Sequence, residues 1–361
     1  LKIFVFGSSI TSAYWNGAAT YYRGIYKELH ALGHEIAFAE PDIYGRQQKR
    51  DHDPGEYVDV LVYDTPGQIN ALLERASRYD ILIKHSGVGA EDELLEREVL
   101  QLRSPQRQII FWDVDAPATL DRVEKNLADA FRALVPQYDY ILTYGGGPPV
   151  VEHYLSLGAA ACIPVYNALD PATHHPVPPE NELICDLLFV GHRLPDRERR
   201  VEEFFLRAAE LAPEKSFFLG GEGWSGKPIP RNVRWIGHVS TRDHNRANCS
   251  AGLVLNINRE SMVNVGFSPP TRVFEAAGAG ACVITDYWAG IEEFFAPGSE
   301  ILVARSGQEV ASLLRSTPAA NARRIGERMR QRALRDHCYV QRARQVDQLL
   351  KSKAAARLAV A

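Results

Sequence analysis

The sequence predicts an α/β chain built from two doubly wound parallel-sheet domains facing a central cleft, and three observations predict it. The chain has 361 residues, too many for one ordinary core and suited to two domains of about 150 to 180 residues. Short apolar runs alternate with stretches of helical periodicity in both halves, the pattern of parallel strands joined by crossover helices. Between the two alternations lies a stretch rich in proline and polar residues, 169–182, with the composition of an interdomain linker.

The first alternation opens with Lys2-Ile3-Phe4-Val5-Phe6, a buried strand that runs into a loop at Gly7. Helical spacing follows from about Ala18 to Leu32 and closes at Gly33-His34, ahead of a strand over Glu35 to Ala39. Further strands are expected at Val58 to Tyr63, Ile81 to Lys84, Ile109 to Trp112 and Tyr140 to Thr143, which gives a first domain over 1–168. The second alternation gives strands at Leu187 to Val190, Ser216 to Leu219, Val233 to Ile236 and Gly252 to Ile257, with a helix over Glu198 to Leu211. A helix after Pro270 and a strand over Ala281 to Thr285 complete a second domain over 183–340, and 341–361 is expected as a C-terminal helical tail. No period of about 20 to 50 residues repeats, which excludes a solenoid.

Composition narrows the function classes. With 45% hydrophobic and 24% charged residues the chain is globular. A net charge of -4 provides no large basic footprint, so nucleic acid is not indicated as a partner, although a local patch stays open. The five cysteines lack CxxC spacing and argue against a disulfide framework or zinc site. No apolar run reaches the roughly 20 residues that span a bilayer, and Leu1 to Phe6 is too short for a signal-peptide core, so a cytoplasmic location is expected.

The most informative stretch runs from Asn264 to Asp286. Pro269-Pro270 suits the start of a helix, where the missing N–H costs nothing, and Ser268 or Thr271 supplies a capping or phosphate-contacting hydroxyl. A helix N-terminus favours a diphosphate, Arg272 adds charge in the first turn, and Glu275 one turn on is placed to accept from a ribose diol. The alternative is a capped helix with Arg272 and Glu275 as an i,i+3 ion pair.

Other candidates sit at expected strand ends. Gly191-His192-Arg193 follows an apolar strand; Arg193 either neutralises a phosphate oxygen or is a surface residue paired with Asp196 or Glu198. Gly237-His238 also ends a strand. In the first loop, Gly7, Ser8 and Gly17 would let backbone N–H groups approach the phosphates of a ligand, but GxGxxG is absent, so a dinucleotide site is disfavoured. His85, Asp113 and Asp115 are candidate bases for a substrate hydroxyl; an Asp at a strand end is equally a helix cap or turn former. His174-His175 reads as two exposed linker histidines without a third metal ligand.

Several blocks carry a family resemblance: Asn16-Gly17-Ala18-Ala19-Thr20 with Gly33-His34, Tyr144-Gly145-Gly146-Gly147, Leu188-Phe189-Val190-Gly191-His192-Arg193, Gly237-His238-Val239 and Arg272-Val273-Phe274-Glu275-Ala276. Through them nearly the whole chain resembles the CgeB-like glycosyltransferases, a family named for a spore-maturation protein. The resemblance implies a GT-B fold of two Rossmann-like domains and transfer of a sugar from a nucleotide-diphosphate sugar. The C-terminal domain would hold the donor as co-substrate, with no cofactor and no essential metal, and the N-terminal domain would hold the acceptor. It also implies that the loop of Gly237-His238 meets the nucleobase through its backbone. One departure stands out: many retaining enzymes of this fold carry an acid eight residues before the residue matching Glu275, where this chain has Phe267, with Asn264 nearby as a substitute polar contact. Acceptor, sugar, stereochemistry and oligomeric state stay open, and a non-catalytic nucleotide or sugar binder and a nucleotide-sugar epimerase share the two-domain outline.

Overall fold

Two parallel sheets organise the chain. The computed structural model describes residues 1–358, which divide into one unit of Leu1–Asn167 together with the residues from Tyr339 onward, and a second of Ala168–Cys338.

In the first unit the strands are β1 (Lys2–Phe6), β2 (Glu35–Pro41), β3 (Asp59–Tyr63), β4 (Ile81–His85), β5 (Gln108–Asp113), β6 (Tyr140–Thr143) and β7 (Cys162–Pro164). They pair in parallel in the order β3-β2-β1-β4-β5-β6-β7. Runs such as Ile3-Phe4-Val5-Phe6 are wholly buried, as strands covered by helices on both faces require. The order reverses between β1 and β4, so the loops leaving those two strands diverge and leave room for a ligand at their carboxyl ends. The helix Ala19–Ala31 crosses from β1 to β2, burying Tyr21, Tyr22, Ile25, Tyr26 and Leu29 along one stripe.

The tail expected over 341–361 is a helix, Tyr339–Leu358, that completes this first unit; its last three residues lie outside the described range. Gly24 on the crossover helix has no room for a side chain, because a Cβ there would lie 2.2 Å from the Tyr339 ring. Gln108 Nε2 donates to Leu350 O at 2.8 Å, and His34 Nε2 meets Asp347 Oδ1 at 2.9 Å.

The second unit contains β8 (Cys185–Val190), β9 (Phe217–Gly220), β10 (Val233–Gly237), β11 (Ala251–Asn256), β12 (Val283–Asp286) and β13 (Leu302–Ala304). They form a parallel sheet in the order β10-β9-β8-β11-β12-β13, with its reversal between β8 and β11. Leu187, Phe189, Phe205, Phe217, Leu255 and Ile284 belong to its core. The helix expected over Glu198 to Leu211 starts earlier, at Pro195, and passes through a π turn at Glu202–Leu206 before ending at Leu211. The wider turn shifts the phase of the side chains. Phe204, Phe205 and Leu206 are buried, while Arg197 and Arg200 stay partly exposed.

The proline-rich stretch is part of this second unit. Asn245 Nδ2 donates to Thr173 O at 2.8 Å, Glu180 N donates to Ser250 Oγ at 2.8 Å, and Arg246 is paired with Glu180. The reading of two exposed linker histidines is therefore corrected: His175 is exposed, but His174 is buried at 2% exposure. Proline and polar residues mark extended backbone, and here that backbone finds its partners on a helix instead of in water.

Candidate active site

At the carboxyl ends of β8, β9 and β10 three glycine-bearing turns are stitched together. Gly191 N donates to Gly220 O at 2.9 Å and Gly221 N donates to Gly237 O at 2.7 Å. Gly221 has φ +114°, and a Cβ there would lie 2.3 Å from Gly191 O, so no other residue fits this crossing. A Cβ on Gly191 would lie 2.8 Å from a terminal nitrogen of Arg197. The glycine leaves space for Arg197 to lie across the strand end.

Arg197 donates from Nη2 to His192 O at 2.6 Å and stacks 5.7 Å from the Phe189 ring centroid, while its Nε is buried with no hydrogen-bond partner. Burial, followed by the neighbouring charges of Arg272 and Arg259, pushes its pKa down to about 10. Arg272 stands in the first turn of the helix Thr271–Gly278, and burial lowers its pKa against the opposing effect of Glu275. His192 is lowered by burial and then by His238, Arg197 and Arg272. Its ring stacks on His238, 6.1 Å between centroids at 10°. The positive charge of Arg272 thus bears on both Arg197 and His192, a repulsion that a bound anion relieves.

No side chain caps the helix Thr271–Gly278: Pro270 holds the cap position, and Ser268 turns its hydroxyl back to Gly266 O at 2.9 Å. Ser268, 5% exposed, is therefore part of the loop; in the first turn Val273 N donates to Pro270 O at 3.0 Å, and the helix dipole places its positive end beside Arg272. Phe267 has a left-handed φ of +47° and donates its N–H to Ala289 O at 2.7 Å. Its ring fills the space above Gly290, so this position serves to pack the loop. Asn264 is exposed.

Glu275 does not form the alternative ion pair with Arg272. Its Oε2 lies 3.3 Å from His244 Nδ1 and its Oε1 lies 3.8 Å from His174 Nε2. Burial alone would raise its pKa, but His244, His174 and Arg272 together outweigh that and hold the carboxyl well below its ordinary value. Glu275 is thus an anion at 6% exposure, with lone pairs to spare for a diol.

Arg193, the phosphate candidate of the same run, is placed elsewhere: it is paired with Glu198 at 2.7 Å on the surface, and Glu198 also binds Lys227 at 2.7 Å. The surface alternative holds for Arg193, and Arg197 one helical turn on takes the position beside Arg272. His192, His244 and His174 were likewise missed as neighbours of the candidate groups.

In the first unit Gly7 and Ser8 are spent on the loop itself. Gly7 N donates to Ala39 O at 3.0 Å, a Cβ there would collide with the Phe38 ring at 2.2 Å, and Ser8 Oγ donates to Asn16 Oδ1 at 3.1 Å. The Gly7 N–H and the Ser8 hydroxyl are therefore committed within the protein; Gly17 is exposed, with open space where a Cβ would stand. The loop is braced from below by the buried Glu40, which accepts from Ile10 N at 2.6 Å, Thr11 Oγ1 at 2.5 Å and Gln47 Nε2 at 2.6 Å.

Two of the three base candidates are buried. His85 is 0% exposed, with Nε2 2.6 Å from the Tyr26 hydroxyl and Nδ1 3.2 Å from Trp112 O. Burial pushes its pKa down to about 3, so the neutral ring has both nitrogens committed. Asp113 accepts from Ser86 Oγ at 2.7 Å, Thr119 Oγ1 at 3.1 Å, Asp115 N at 2.9 Å and Tyr154 OH at 2.5 Å. It ties β5 to its neighbours, the structural role open to an Asp at a strand end. Asp115, at the start of the helix Ala116–Lys125, reaches the surface.

Two sheets of this order, each with a glycine-turned strand end at its reversal, define the GT-B fold of glycosyltransferases. Solved structures agree: Anabaena HepE in complex with UDP and glucose (14% identity, 98% of this chain and 100% of that chain, TM-score 0.70), sucrose-phosphate synthase from Thermosynechococcus elongatus (13%, 99% and 100%, 0.69), and an alpha-glucosyltransferase in complex with UDP and a 13-mer DNA containing an HMU base (13%, 97% and 99%, 0.69). Residues 197–348, the stretch that carries Arg197, His244, Arg272 and Glu275, match the family model described as glycosyl transferase-like. No curated protein sequence matches the chain.

Proposed function

We propose that the protein transfers a sugar from a nucleotide-diphosphate sugar to an acceptor hydroxyl, with the donor held by the second unit and the acceptor by the first. The observations that carry this reading are Arg272 in the first turn of the helix Thr271–Gly278 and the buried, unpartnered Nε of Arg197 at the end of β8. In the transfer, the acceptor oxygen bonds to the anomeric carbon while the bond from that carbon to the phosphate oxygen breaks. The electron pair leaves on the diphosphate, and the two guanidiniums and the helix amides stabilise that growing charge. Glu275 accepts from the ribose hydroxyls. Of the three acids and bases named from the sequence, Asp115 takes the acceptor proton, because His85 and Asp113 have no free lone pair facing solvent.

We read the finer placement as CgeB-like, on the sequence blocks given above, and the location as a reducing cytoplasm, supported by five cysteines that form no disulfide among the described residues. A metal is not required in this reading, since arginines and helix amides meet the diphosphate; among the described residues no three His, Cys, Asp or Glu side chains cluster as metal ligands. The neighbours solved with UDP make uridine diphosphate the first nucleotide to test. The experiment is a thermal-shift panel of nucleoside diphosphates and their sugars, since a ligand of the folded state raises the melting temperature. A selective rise supports the reading; a flat response across the panel sinks it.

A further inference from the structure

The sheet of the first unit presents three loops from adjacent strands at its reversal: 7–18 after β1, 42–50 after β2 and 86–91 after β4. Among the described residues, the first unit's non-glycine positions with left-handed backbone are Trp15 (φ +48°), Tyr44 (φ +58°) and Glu91 (φ +54°), and all three lie on these loops. Backbone strain gathered at one end of a sheet marks a place where side chains are held for a purpose other than packing.

Two of these residues are aromatic and turned outward, Trp15 at 49% exposure and Tyr44 at 65%. Arg46, itself buried, fixes both. Its Nη2 donates to Trp15 O and its Nη1 to Ser8 O, each at 3.3 Å, and its guanidinium lies 5.2 Å from the centroid of the Tyr44 ring. Tyr14 packs edge-on against Trp15 at 6.3 Å, and Lys49 Nζ caps the Tyr14 ring at 3.4 Å. On the far side the backbone of the third loop comes up to Tyr44, whose ring carbon lies 3.3 Å from where a Gly89 Cβ would stand. The aromatic faces are therefore presented by braced loops, at the sheet end where ligands of such sheets bind.

The charges around them decide the kind of ligand. Arg46 is committed to backbone oxygens, Arg23 is paired with Asp51 at 2.7 Å, and Lys49 lies on Tyr14. Lys49 and the exposed Arg50 are the cations of these loops that pair with no acid among the described residues, too few to follow a phosphodiester backbone. Flat apolar faces with so little unbalanced charge suit a neutral molecule with C–H faces and hydroxyl edges.

We propose that Trp15 and Tyr44 form an acceptor subsite and that the acceptor is a saccharide, whose ring faces stack on these two side chains. This rests on the glycosyltransferase reading and names the substrate class that reading leaves open.

The test uses the full chain with UDP present, on an immobilised panel of neutral and acidic oligosaccharides together with single-stranded DNA and RNA. Retention on at least one oligosaccharide is expected, weakened at least tenfold by Trp15→Gly and by Tyr44→Ala and largely kept by Trp15→Phe. Glycine is at ease at φ +48°, so Trp15→Gly should keep its melting temperature, and loss of binding then reports lost stacking. Retention on nucleic acid in preference to every saccharide, or saccharide binding indifferent to both deletions, overturns the proposal. So does an absence of saccharide binding by a protein that still responds to UDP, whereas an absence of any response to UDP or UDP-sugars sinks the underlying reading.

Discussion

His244 Nδ1 and Glu275 Oε2 stand 3.3 Å apart at the helix whose first turn carries Arg272. A carboxylate at 6% exposure is kept charged there by the imidazoles and the guanidinium around it. Its folded pKa lies below the unfolded value of about 4.3, so its contribution to stability is present above that pH and is lost as the pH falls toward the folded value. The difference in melting temperature between the wild type and Glu275→Gln should therefore be largest near neutrality and shrink below about pH 4. A difference independent of pH would show that charge is not what Glu275 contributes.

His85 obeys the same sign from the opposite chemistry. Its neutral form is favoured in the fold, with a pKa pushed down to about 3, so the unfolded chain takes up the proton first. Stability from His85 is complete above about pH 6.5 and declines by up to about 1.4 kcal/mol per pH unit from there toward pH 3. His85→Gln, which disturbs the bond to the Tyr26 hydroxyl, should cost about 1 to 3 kcal/mol in chemical denaturation. Its pH–rate profile should keep the wild-type shape; loss of the acidic limb, where a general base loses its proton, would restore His85 as the catalytic base.

Arg197→Ala and Arg272→Ala should each weaken UDP binding by about tenfold or more, the loss of a charge-assisted contact of roughly 1.5 to 3 kcal/mol. Arg193→Ala, which removes a surface partner of Glu198, should leave affinity within about twofold. Titration calorimetry on the three variants checks the assignment, and equal effects at Arg193 and Arg197 would undo it.

Gly191→Ala and Gly221→Ala separate two uses of glycine. The first puts a methyl 2.8 Å from Arg197 Nη2 and should displace that side chain, lowering UDP affinity with a small fall in melting temperature. The second meets backbone at 2.3 Å from a φ of +114° and should destabilise the fold by several kcal/mol, about the range of strained and overpacked sites. Nearly equal melting temperatures for the two variants would contradict this geometry.

What the sequence made legible follows from range. The apolar runs of β1, β4, β5, β8 and β11 signal strands because burial on both faces demands continuous apolarity, and the helix at Thr271 is announced by Pro269-Pro270. β7 and β13, of three residues each, are too short for any periodicity to show. The choice between Arg193 and Arg197 was closed to the sequence, since it depends on where the helix begins at Pro195 and on the room left by Gly191. His174, His244 and Glu275 meet only through tertiary packing, and no spacing rule links residues so far apart. Gly7 and His85 mislead for a related reason: a strand-end position is easily read, but whether its groups are already spent on neighbours is decided by Ala39, Phe38, Tyr26 and Trp112.

The closing of Tyr339 over Gly24 also bears on synthesis. A ribosome delivers the first unit's sheet, then all of 168–338, and only afterwards the helix that covers the crossover helix of that sheet. The amino-terminal sheet must wait, with the Gly24 notch open, until the second unit has emerged. A nascent chain stalled before Tyr339 would therefore carry an exposed apolar seam along Ala19–Ala31.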